Sequence, residues 1–276
     1  MKKILLVSAT LSVLIGTAYA ATPAAQTQLP PYSMQSCASQ APYGFPQTSK
    51  PNTIAICRQA YAVLNDLVAK VSPWEVYTLT PQHALGCEAR VNAFAPDQSL
   101  PKGQRAELVD YAHSGYDTGH IANDADMSWD PTVQRESFIL SNMAPQLPGL
   151  NRSTWKVLET DVRDWAFNGH TMTIYAGSIY DINTDKKIGP DNVVVPHSFY
   201  KIVIDDVTHQ SLAFLFPHRG DLGANILPLQ TTVSNIESLT GIIFPVPDSK
   251  TIMNKMWPVN LSAMALSKKT QCAVNK

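Results

Sequence analysis

Residues 152–167 read RSTWKVLETDVRDWAF, and this stretch decides the fold class. Its apolar side chains recur at the spacing of one helix face: Trp155, Leu158, Val162, Trp165 and Ala166. Polar side chains occupy positions between them: Lys156, Glu159, Asp161, Arg163 and Asp164. Asn151 stands where the N-cap residue would be, and Asn168-Gly169 provides a C-terminal stop. The pattern predicts one long amphipathic helix.

Segments typical of β-strands lie on both sides of this helix. They are short and rich in β-branched and aromatic residues: 60–64, 74–79, 171–179, 193–204 and 212–216. Residues 60–64 also fit a short helix. Further short strands are expected around 116–120 and 137–141, and a short helix over 233–239. Strands around one central helix, without regular β-α alternation, favour an α+β fold with a mixed, largely antiparallel sheet over a doubly wound fold.

The N-terminus has the features of an export signal. Lys2 and Lys3 precede a mostly apolar run over residues 4–15, and Ala18-Tyr19-Ala20 offers the small-x-small pattern that signal peptidase cleaves. The alternative is a membrane anchor, but the run is shorter than the ~20 residues that span a bilayer. We therefore expect residues 1–20 to be a signal peptide. The protein is then exported, to a periplasm or to the extracellular space, with no membrane attachment.

Two further segments follow the signal. Residues 21–52 are rich in Pro, Ala, Gln, Ser and Thr and predict a loosely ordered lead-in. Residues 53–276 are long enough for one domain with a sizeable core. An even number of cysteines in an exported chain predicts two disulfides, with all three pairings open. Zinc binding is disfavoured because no two of them have C-x-x-C spacing. These cysteines are Cys37, Cys57, Cys87 and Cys272.

The charge of the chain limits how it can bind a polyanion. The formal net charge is −1 at pH 7, and it becomes −3 without Lys2 and Lys3. A mildly acidic chain lacks the overall positive charge that attracts nucleic acid. Any such binding must therefore come from a few local arginines and a cation.

The segment that runs into the central helix contains residue types suited to phosphodiester hydrolysis. That reaction needs a base for the attacking water, a cation for the charge on the leaving oxygen, and a group that holds the phosphate in line. A neutral His, a hard cation such as Mg²⁺ with oxygen ligands, and Arg meet these needs. The runs that contain them are Asp110-Tyr111, Ser114-Gly115-Tyr116-Asp117-Thr118-Gly119-His120, Ser141-Asn142-Met143-Ala144-Pro145-Gln146, Leu150-Asn151-Arg152, Trp155 and Leu158-Glu159.

In these runs, in their order and spacing, the sequence closely resembles the DNA/RNA non-specific endonucleases, the ββα-metal or His-Me finger family. The resemblance extends upstream to Arg90 and downstream to Gly241, and covers roughly residues 55–245. It implies an α+β fold with a ββα-metal finger core and a nuclease domain over residues 53–276. It also implies metal-dependent cleavage of DNA and/or RNA, with Mg²⁺ as cofactor and Mn²⁺ as a substitute. Protein partners stay open.

The resemblance assigns roles to three residues of the finger. His120 matches the general base, and Asn151 matches the Asn whose side-chain oxygen binds the metal. Asn142 matches a second active-site Asn, which supports the geometry of the His. Taken alone, His120 would be interpreted as a turn or core residue and Asn151 as a helix N-cap.

Three further residues match charged groups of the family site. Glu159 matches an acidic catalytic residue near the water shell of the metal. Arg90 and Arg163 match arginines near the phosphate, and Arg90 is also assigned to the catalytic set. Without the resemblance, Glu159 and Arg163 would form a solvated ion pair on one helix face, and Arg90 would be a surface charge. The other histidines lack such a context and are predicted to be structural: His83, His113, His170, His197, His209 and His218.

One position departs from the family pattern. Thr118 stands where the family usually has Arg, so a hydroxyl replaces a guanidinium that would contact phosphate. Two alternatives to a nuclease therefore stay open. One is a catalytically degenerate member that binds nucleic acid without cutting it. The other is an exported scaffold or inhibitor-binding protein on the same fold. The retained His120, Asn142 and Asn151 favour the nuclease.

Overall fold

A computed structural model describes residues 32–274 of the chain, so the predicted signal peptide lies outside the described residues. The strands are β1 (Thr53–Cys57), β2 (Tyr61–Asp66), β3 (Trp74–Leu79), β4 (Asp117–His120), β5 (Met143–Gln146), β6 (Met172–Ile179), β7 (Lys187–Ile188), β8 (Val193–Val194), β9 (Ser198–Asp205), β10 (Ser211–Pro217) and β11 (Gln230–Thr231). The α-helices are α1 (Pro81–Ala84), α2 (Leu108–Tyr111), α3 (Pro131–Ser137), α4 (Lys156–Phe167), α5 (Val233–Thr240) and α6 (Leu261–Val274). Short 3-10 helices cover Met34–Gln40, Asp124–Asp126, Leu140–Asn142 and Leu227–Leu229.

Seven strands form one antiparallel sheet, in the order β1-β2-β3-β6-β9-β10-β11. The central strands β6 and β9 pair from Met172 opposite Asp205 to Ile179 opposite Ser198. Successive side chains of a strand point to opposite faces of its sheet. Ile174 accordingly belongs to one buried apolar cluster, and its neighbour Tyr175 belongs to another. The sheet is therefore covered on both faces.

The two faces carry different layers. On one face α4 packs through Leu158 and Val162, together with Trp155 just before it, into the same cluster as Ile174. On the other face α5 packs through its buried apolar residues, together with Phe244 and part of the N-terminal segment. Helices and antiparallel strands thus occupy separate layers, and the predicted α+β class is confirmed. The strands β4 and β5 form a separate two-stranded sheet beside α4.

The central helix begins later and is more buried than the sequence predicts. A π-helical turn covers Leu150–Trp155, and α4 follows it directly. Asn151 is therefore not an N-cap residue, because it lies inside the π-helical turn and its backbone N–H donates to the carbonyl of Leu147 at 3.0 Å. Three acidic residues of the predicted polar face are buried in the tertiary structure: Glu159, Asp161 and Asp164. The predicted stop is correct, since α4 ends at Phe167 and Gly169 has a φ of +107°.

Most of the predicted strands form, with shifted bounds. The segment 193–204 is divided into β8 and β9, because Pro196 between them has no N–H to donate to a neighbouring strand. The short strand expected around 137–141 lies instead at Met143–Gln146, after a 3-10 helix. Residues 60–64 belong to β2 rather than to a helix. The C-terminal helix α6 was not predicted, because its apolar residues show only weak helical periodicity. In the described part of the chain, no helix is long and apolar enough to cross a membrane.

The segment predicted as a loosely ordered lead-in is packed from residue 32 onwards. Its 3-10 helix Met34–Gln40 places Cys37 in the apolar cluster on the α5 face, where Cys37 is 0% exposed. Tyr32 forms a β-bridge with Cys57, and Gln47 forms another with Ile243. These long-range contacts are invisible in the local composition. The part of the lead-in before residue 32 lies outside the described residues.

Both predicted disulfides form, and the structure selects one of the three pairings. Cys37 is bonded to Cys57, and Cys87 is bonded to Cys272. The first joins the N-terminal segment to β1, and the second joins α6 to the loop after α1. The four sulfur atoms are thereby unavailable for zinc.

Removal of the buried disulfide should cost stability. We expect the double substitution Cys37→Ala and Cys57→Ala to lower the free energy of unfolding by ~2–4 kcal/mol, because the cross-link no longer restricts the unfolded chain. Urea unfolding followed by tryptophan fluorescence measures this difference. The substitution Ser39→Ala in the same segment is the control, since Ser39 is exposed. Equal midpoints for the double variant and the wild type would contradict the prediction.

Candidate active site

The strands β4 and β5 and helix α4 bring the predicted motifs together. Asp117 pairs with Gln146 and His120 pairs with Met143, so the two motif segments form one antiparallel ladder. Gly119 is needed in this ladder, because a Cβ there would lie 2.2 Å from Oε1 of Gln146. The chain then enters the π-helical turn that carries Asn151. This ββα arrangement places His120 and Asn151 in the wall of one cleft.

The cleft has a volume of ≈610 Å³. Its walls consist of Arg90, Phe94, Asp117, Thr118, His120, Asn123, Asp124, Ala125, Asn151, Arg152, Lys156, Glu159 and Arg163. Five of the six residues predicted for the site are in this set, although they come from separate parts of the chain. The sixth, Asn142, is not in the cleft wall. Thr118 does line the cleft, so the departure from the family pattern falls on the wall itself.

His120 is held in its neutral form. Its side chain is buried between Phe94 and Phe138, with ring centroids 5.7 and 4.9 Å away. Burial, and then the positive charge of Arg90, lower the pKa of His120 to about 3. Nε2 of His120 has no hydrogen-bond partner among the described residues. A neutral imidazole in a cleft can accept a proton from a bound water.

The low pKa of His120 can be tested by titration. We expect the Cε1–H NMR signal of His120, assigned by its loss in His120→Ala, to show no titration between about pH 5 and 8. Since the unfolded chain takes up this proton near pH 6.5, the stability of the fold should fall as the pH drops from 6.5 toward 3. Arg90→Ala removes the positive charge that helps to lower the pKa of His120, so it should raise that pKa. Lys156→Ala removes another cleft cation and serves as the control. A wild-type midpoint near 6.5 would contradict this account.

Asn142 lies behind His120 and acts on the backbone. Its Oδ1 accepts from the N–H of Ala122 at 2.8 Å, and its Nδ2 donates to the carbonyls of Ala122 at 2.9 Å and of Ser137 at 2.7 Å. Its own carbonyl accepts from the N–H of Ile121 at 3.1 Å. Asn142 is 0% exposed. The geometry therefore makes it a positioning residue, which fixes the chain just after His120, and not a catalytic group in contact with substrate.

Asn151 has a defined orientation in the cleft. Its Nδ2 donates to Oδ2 of Asp117 at 2.9 Å. A carboxylate only accepts hydrogen bonds, so the amide nitrogen must face Asp117 and the amide oxygen is left for another partner. An amide oxygen is a ligand that a hard cation such as Mg²⁺ accepts. Asn151 thus has the donor atom that the predicted metal site requires.

Glu159 is buried in the wall of the cleft instead of solvated on the helix surface. Burial raises the pKa of Glu159 to about 7, while the charges of Lys201 and Arg163 act in the opposite direction. Lys201 is itself 0% exposed, and its Nζ lies 4.5 Å from the centroid of the Trp155 ring. No local pattern marks Lys201 as part of the site surroundings, because β9 brings it there from 42 residues further along the chain than Glu159.

The two predicted phosphate arginines are both tied to carboxylates. Arg163 donates from Nη1 to Oδ1 of Asp126 at 2.8 Å, and its side chain is 12% exposed. Its ion-pair partner is therefore Asp126 and not Glu159, so the solvated pair considered from the sequence does not form. Arg90 is bound to Asp124 through Nη1, and its side chain is 46% exposed. Its guanidinium also lies over the Phe138 ring, 4.9 Å from the centroid.

Four charged residues of the cleft wall were not predicted from the sequence: Asp117, Asp124, Arg152 and Lys156. Asp117 belongs to the quoted motif, but it received no role. Arg152 and Lys156 are exposed on the first turns after Asn151. Arg152 and Lys156 are four residues apart, so they lie on one side of the helix. This spacing in the sequence could have identified them as a basic edge of the cleft.

Comparisons with known proteins identify the family. The family model described as DNA/RNA non-specific endonuclease matches residues 39–247. The chain is 30% identical over 211 residues to a nuclease of Nostoc sp., covering 72% of this chain and 76% of that protein. It is 27% identical over 220 residues to human mitochondrial endonuclease G, covering 74% and 72% of the two chains.

A solved structure shares the fold. The crystal structure of an EndoG/EndoGI complex contains a chain that superposes with a TM-score of 0.68 at 24% identity, covering 79% of this chain and 95% of that one. Helix α6 and Cys272 lie beyond the matched family region. The family match spans most of the chain and contains every motif of the cleft, so the protein belongs to the DNA/RNA non-specific endonuclease family of hydrolytic nucleases.

Proposed function

We propose that the protein is an exported endonuclease that hydrolyses phosphodiester bonds of DNA and/or RNA in the cleft, with His120 as general base and a divalent cation held by Asn151. The observation that carries the proposal is that one cleft contains both a neutral, buried His120 and the amide oxygen of Asn151, which the bond to Asp117 leaves unused. The first group suits proton transfer, and the second suits a hard cation.

The residues of the chain divide the chemistry between them. Neutral His120 takes the proton of the attacking water, and Asn142 fixes the backbone next to it. Phe94 and Phe138 limit the motion of the imidazole and keep bulk water from one side of it. Arg90, at the rim of the cleft, contributes positive charge toward the phosphate.

The residues present fit a hard cation. Asn151 would hold it through the amide oxygen, and Glu159 would bind its water shell. A bound Mg²⁺, or Mn²⁺ in its place, supplies stabilisation of the charge that develops on the leaving oxygen. Asp117 orients the side chain of Asn151 and so supports the metal site.

Chelation is the direct test of the metal requirement. We expect EDTA to abolish cleavage of plasmid DNA, linear DNA and RNA, and excess Mg²⁺ or Mn²⁺ to restore it, because the reaction then regains its charge stabilisation. The control for effects of EDTA other than chelation is a Zn²⁺-free buffer that contains EDTA already saturated with Mg²⁺. Undiminished cleavage in excess chelator would overturn the metal mechanism.

One alternative has an observation in its favour. Thr118 lines the cleft and offers only a hydroxyl to a phosphate, which would suit a member of the family that binds nucleic acid without cutting it. A nicking assay on supercoiled plasmid separates the two hypotheses. Binding without nicking at any Mg²⁺ concentration would favour the alternative.

Export is supported by the N-terminal pattern and by the two disulfides. Structural disulfides persist in oxidising compartments such as a periplasm or the extracellular space. N-terminal sequencing of the protein recovered from those fractions should begin at Ala21. Recovery of full-length protein from the cytoplasm alone, with free thiols, would overturn the proposal.

A further inference from the structure

The guanidinium of Arg152, which pairs with Asp117 at the wall of the cleft, has no place in the mechanism above. Arg152 donates from Nε to Oδ2 of Asp117 at 2.8 Å and from Nη2 to Oδ1 at 2.6 Å. The Arg152 side chain is 71% exposed, whereas that of Asp117 is 15% exposed. The carboxylate thus forms the support, and the guanidinium is presented toward solvent.

The pair leaves one edge of the guanidinium open. Asp117 uses the edge formed by Nε and Nη2, and within residues 32–274 no side chain or carbonyl accepts from Nη1. The edge formed by Nη1 and Nη2 can donate two parallel hydrogen bonds. That geometry matches two oxygens of a phosphate group.

The same carboxylate also fixes the neighbouring residue. Oδ2 of Asp117 accepts from Nδ2 of Asn151, so one side chain orients both the proposed metal ligand and Arg152. An ordinary surface ion pair holds its partners weakly, because solvent competes for both charges. Here the acidic partner is mostly buried and has a second hydrogen bond, so the guanidinium has a defined position beside Asn151.

The other arginines of the cleft are less available to a polyanion. The side chain of Arg163 is 12% exposed and bound to Asp126, and that of Arg90 is 46% exposed and bound to Asp124. Arg152 is the most exposed of the three, and exposed Lys156 follows it by one helical turn. Because the chain carries a formal net charge of −1, a phosphate backbone must find its cations locally.

We infer that Arg152, supported by Asp117, is a second phosphate-binding position that contacts the nucleic-acid backbone next to the phosphate at the proposed metal site. The inference rests on the proposed function for the identity of the ligand. It assigns to Arg152 a role in substrate affinity and none in proton transfer. The contact is to the backbone, so it does not depend on base sequence.

Binding to an oligonucleotide tests the inference apart from cleavage. The probe is a 5′-fluorescein-labelled single-stranded DNA, titrated by fluorescence anisotropy with the full His120→Ala protein at fixed Mg²⁺ and from about 50 to 200 mM NaCl. Adding Arg152→Ala should weaken binding about tenfold, the effect of losing one charge-assisted pair. It should also reduce the slope of log K against log salt by about 0.7, because one phosphate contact is lost. Arg152→Lys should keep most of that slope and have an intermediate affinity.

The matched control is Arg219→Ala. Arg219 forms the same two-bond pair with Asp221, at 2.8 and 2.8 Å, and its side chain is 61% exposed, but it does not line the cleft. Its removal should leave both affinity and salt slope unchanged. In the protein with His120 intact, Arg152→Ala should raise KM for DNA while kcat and the Mg²⁺ concentration for half-maximal activity stay close to the wild-type values.

Several results would overturn the inference. The inference is wrong if Arg152→Ala binds the oligonucleotide with unchanged affinity and an unchanged salt slope. Cleavage by the wild type would in that case still support the proposed function. An equal loss of affinity in Arg219→Ala would show that binding depends only on the general surface charge. An increased Mg²⁺ requirement with unchanged oligonucleotide affinity would mean that Arg152 acts through Asp117 on Asn151. Failure of the wild type to cleave or bind any nucleic acid would instead refute the proposed function, and the inference with it.

Discussion

His120→Ala is expected to reduce the rate of phosphodiester cleavage by about 10²–10⁴-fold, because transfer of the water proton to a positioned base contributes that much. The loss should appear in kcat, since the imidazole acts on the attacking water and not on substrate affinity. Steady-state cleavage of a fluorogenic oligonucleotide at saturating Mg²⁺ measures it. The fold should be kept, because alanine removes a ring whose Nε2 makes no hydrogen bond to the described residues.

The control for this prediction is His83→Ala. His83 is also partly buried, and burial lowers its pKa, but it stacks on Trp129 at 4.0 Å outside the cleft. Its removal should leave kcat near the wild-type value. If the folded His120→Ala protein cleaves at close to the wild-type rate, His120 is not the base. Neutral His residues elsewhere in the chain would then have to be tested in turn.

Asn151→Ala is expected to cause a comparable loss, for a different reason. Its amide oxygen is the direct protein ligand in the proposed metal site, so alanine should weaken retention of the cation. The Mg²⁺ concentration for half-maximal activity should therefore rise, and excess Mg²⁺ should recover part of the rate. A Mg²⁺ titration of initial rates distinguishes this pattern from that of His120→Ala, which no concentration of Mg²⁺ should rescue.

Asn235→Ala is a suitable control for the metal ligand. Asn235 makes a comparable side-chain bond, from Nδ2 to Oγ1 of Thr231 at 3.0 Å, but it is exposed at the start of α5. It should leave both the rate and the metal requirement unchanged. An unaltered metal requirement in Asn151→Ala would remove Asn151 from the metal site and turn attention to Glu159.

Much of the fold follows from local patterns that tertiary contacts do not alter. The spacing of Trp155, Leu158 and Val162 predicts a helix whichever surface it packs on, and α4 forms there. Alternating segments predict five strands of the central sheet but not β1 or β11, and the absence of regular β-α alternation predicts their largely antiparallel arrangement. The ends of these strands move, and the segment 193–204 is divided at Pro196, because a proline or the pairing partner decides where a ladder stops.

The identity of the site residues is also determined by the sequence to a large extent. The ordered motifs and their flanks, from Arg90 to Arg163, select five residues that line one cleft. β5 leads within a few residues into the π-helical turn and α4, whereas residues 121–142 separate β4 from β5, and the two strands meet because they pair in one antiparallel ladder.

Only the tertiary structure decides how each side chain is used. Asn142 faces away from the cleft and binds the backbone of Ile121 and Ala122, and Arg163 pairs with Asp126 from a 3-10 helix 37 residues earlier. The pKa of Glu159 depends on its burial and on the opposing charges of Lys201 and Arg163. Hydrogen bonds and desolvation depend on which groups meet across the folded molecule, and a motif records only residue types and their order. The pair of Arg152 and Asp117 is decided in the same way, by the approach of the π-helical turn to β4.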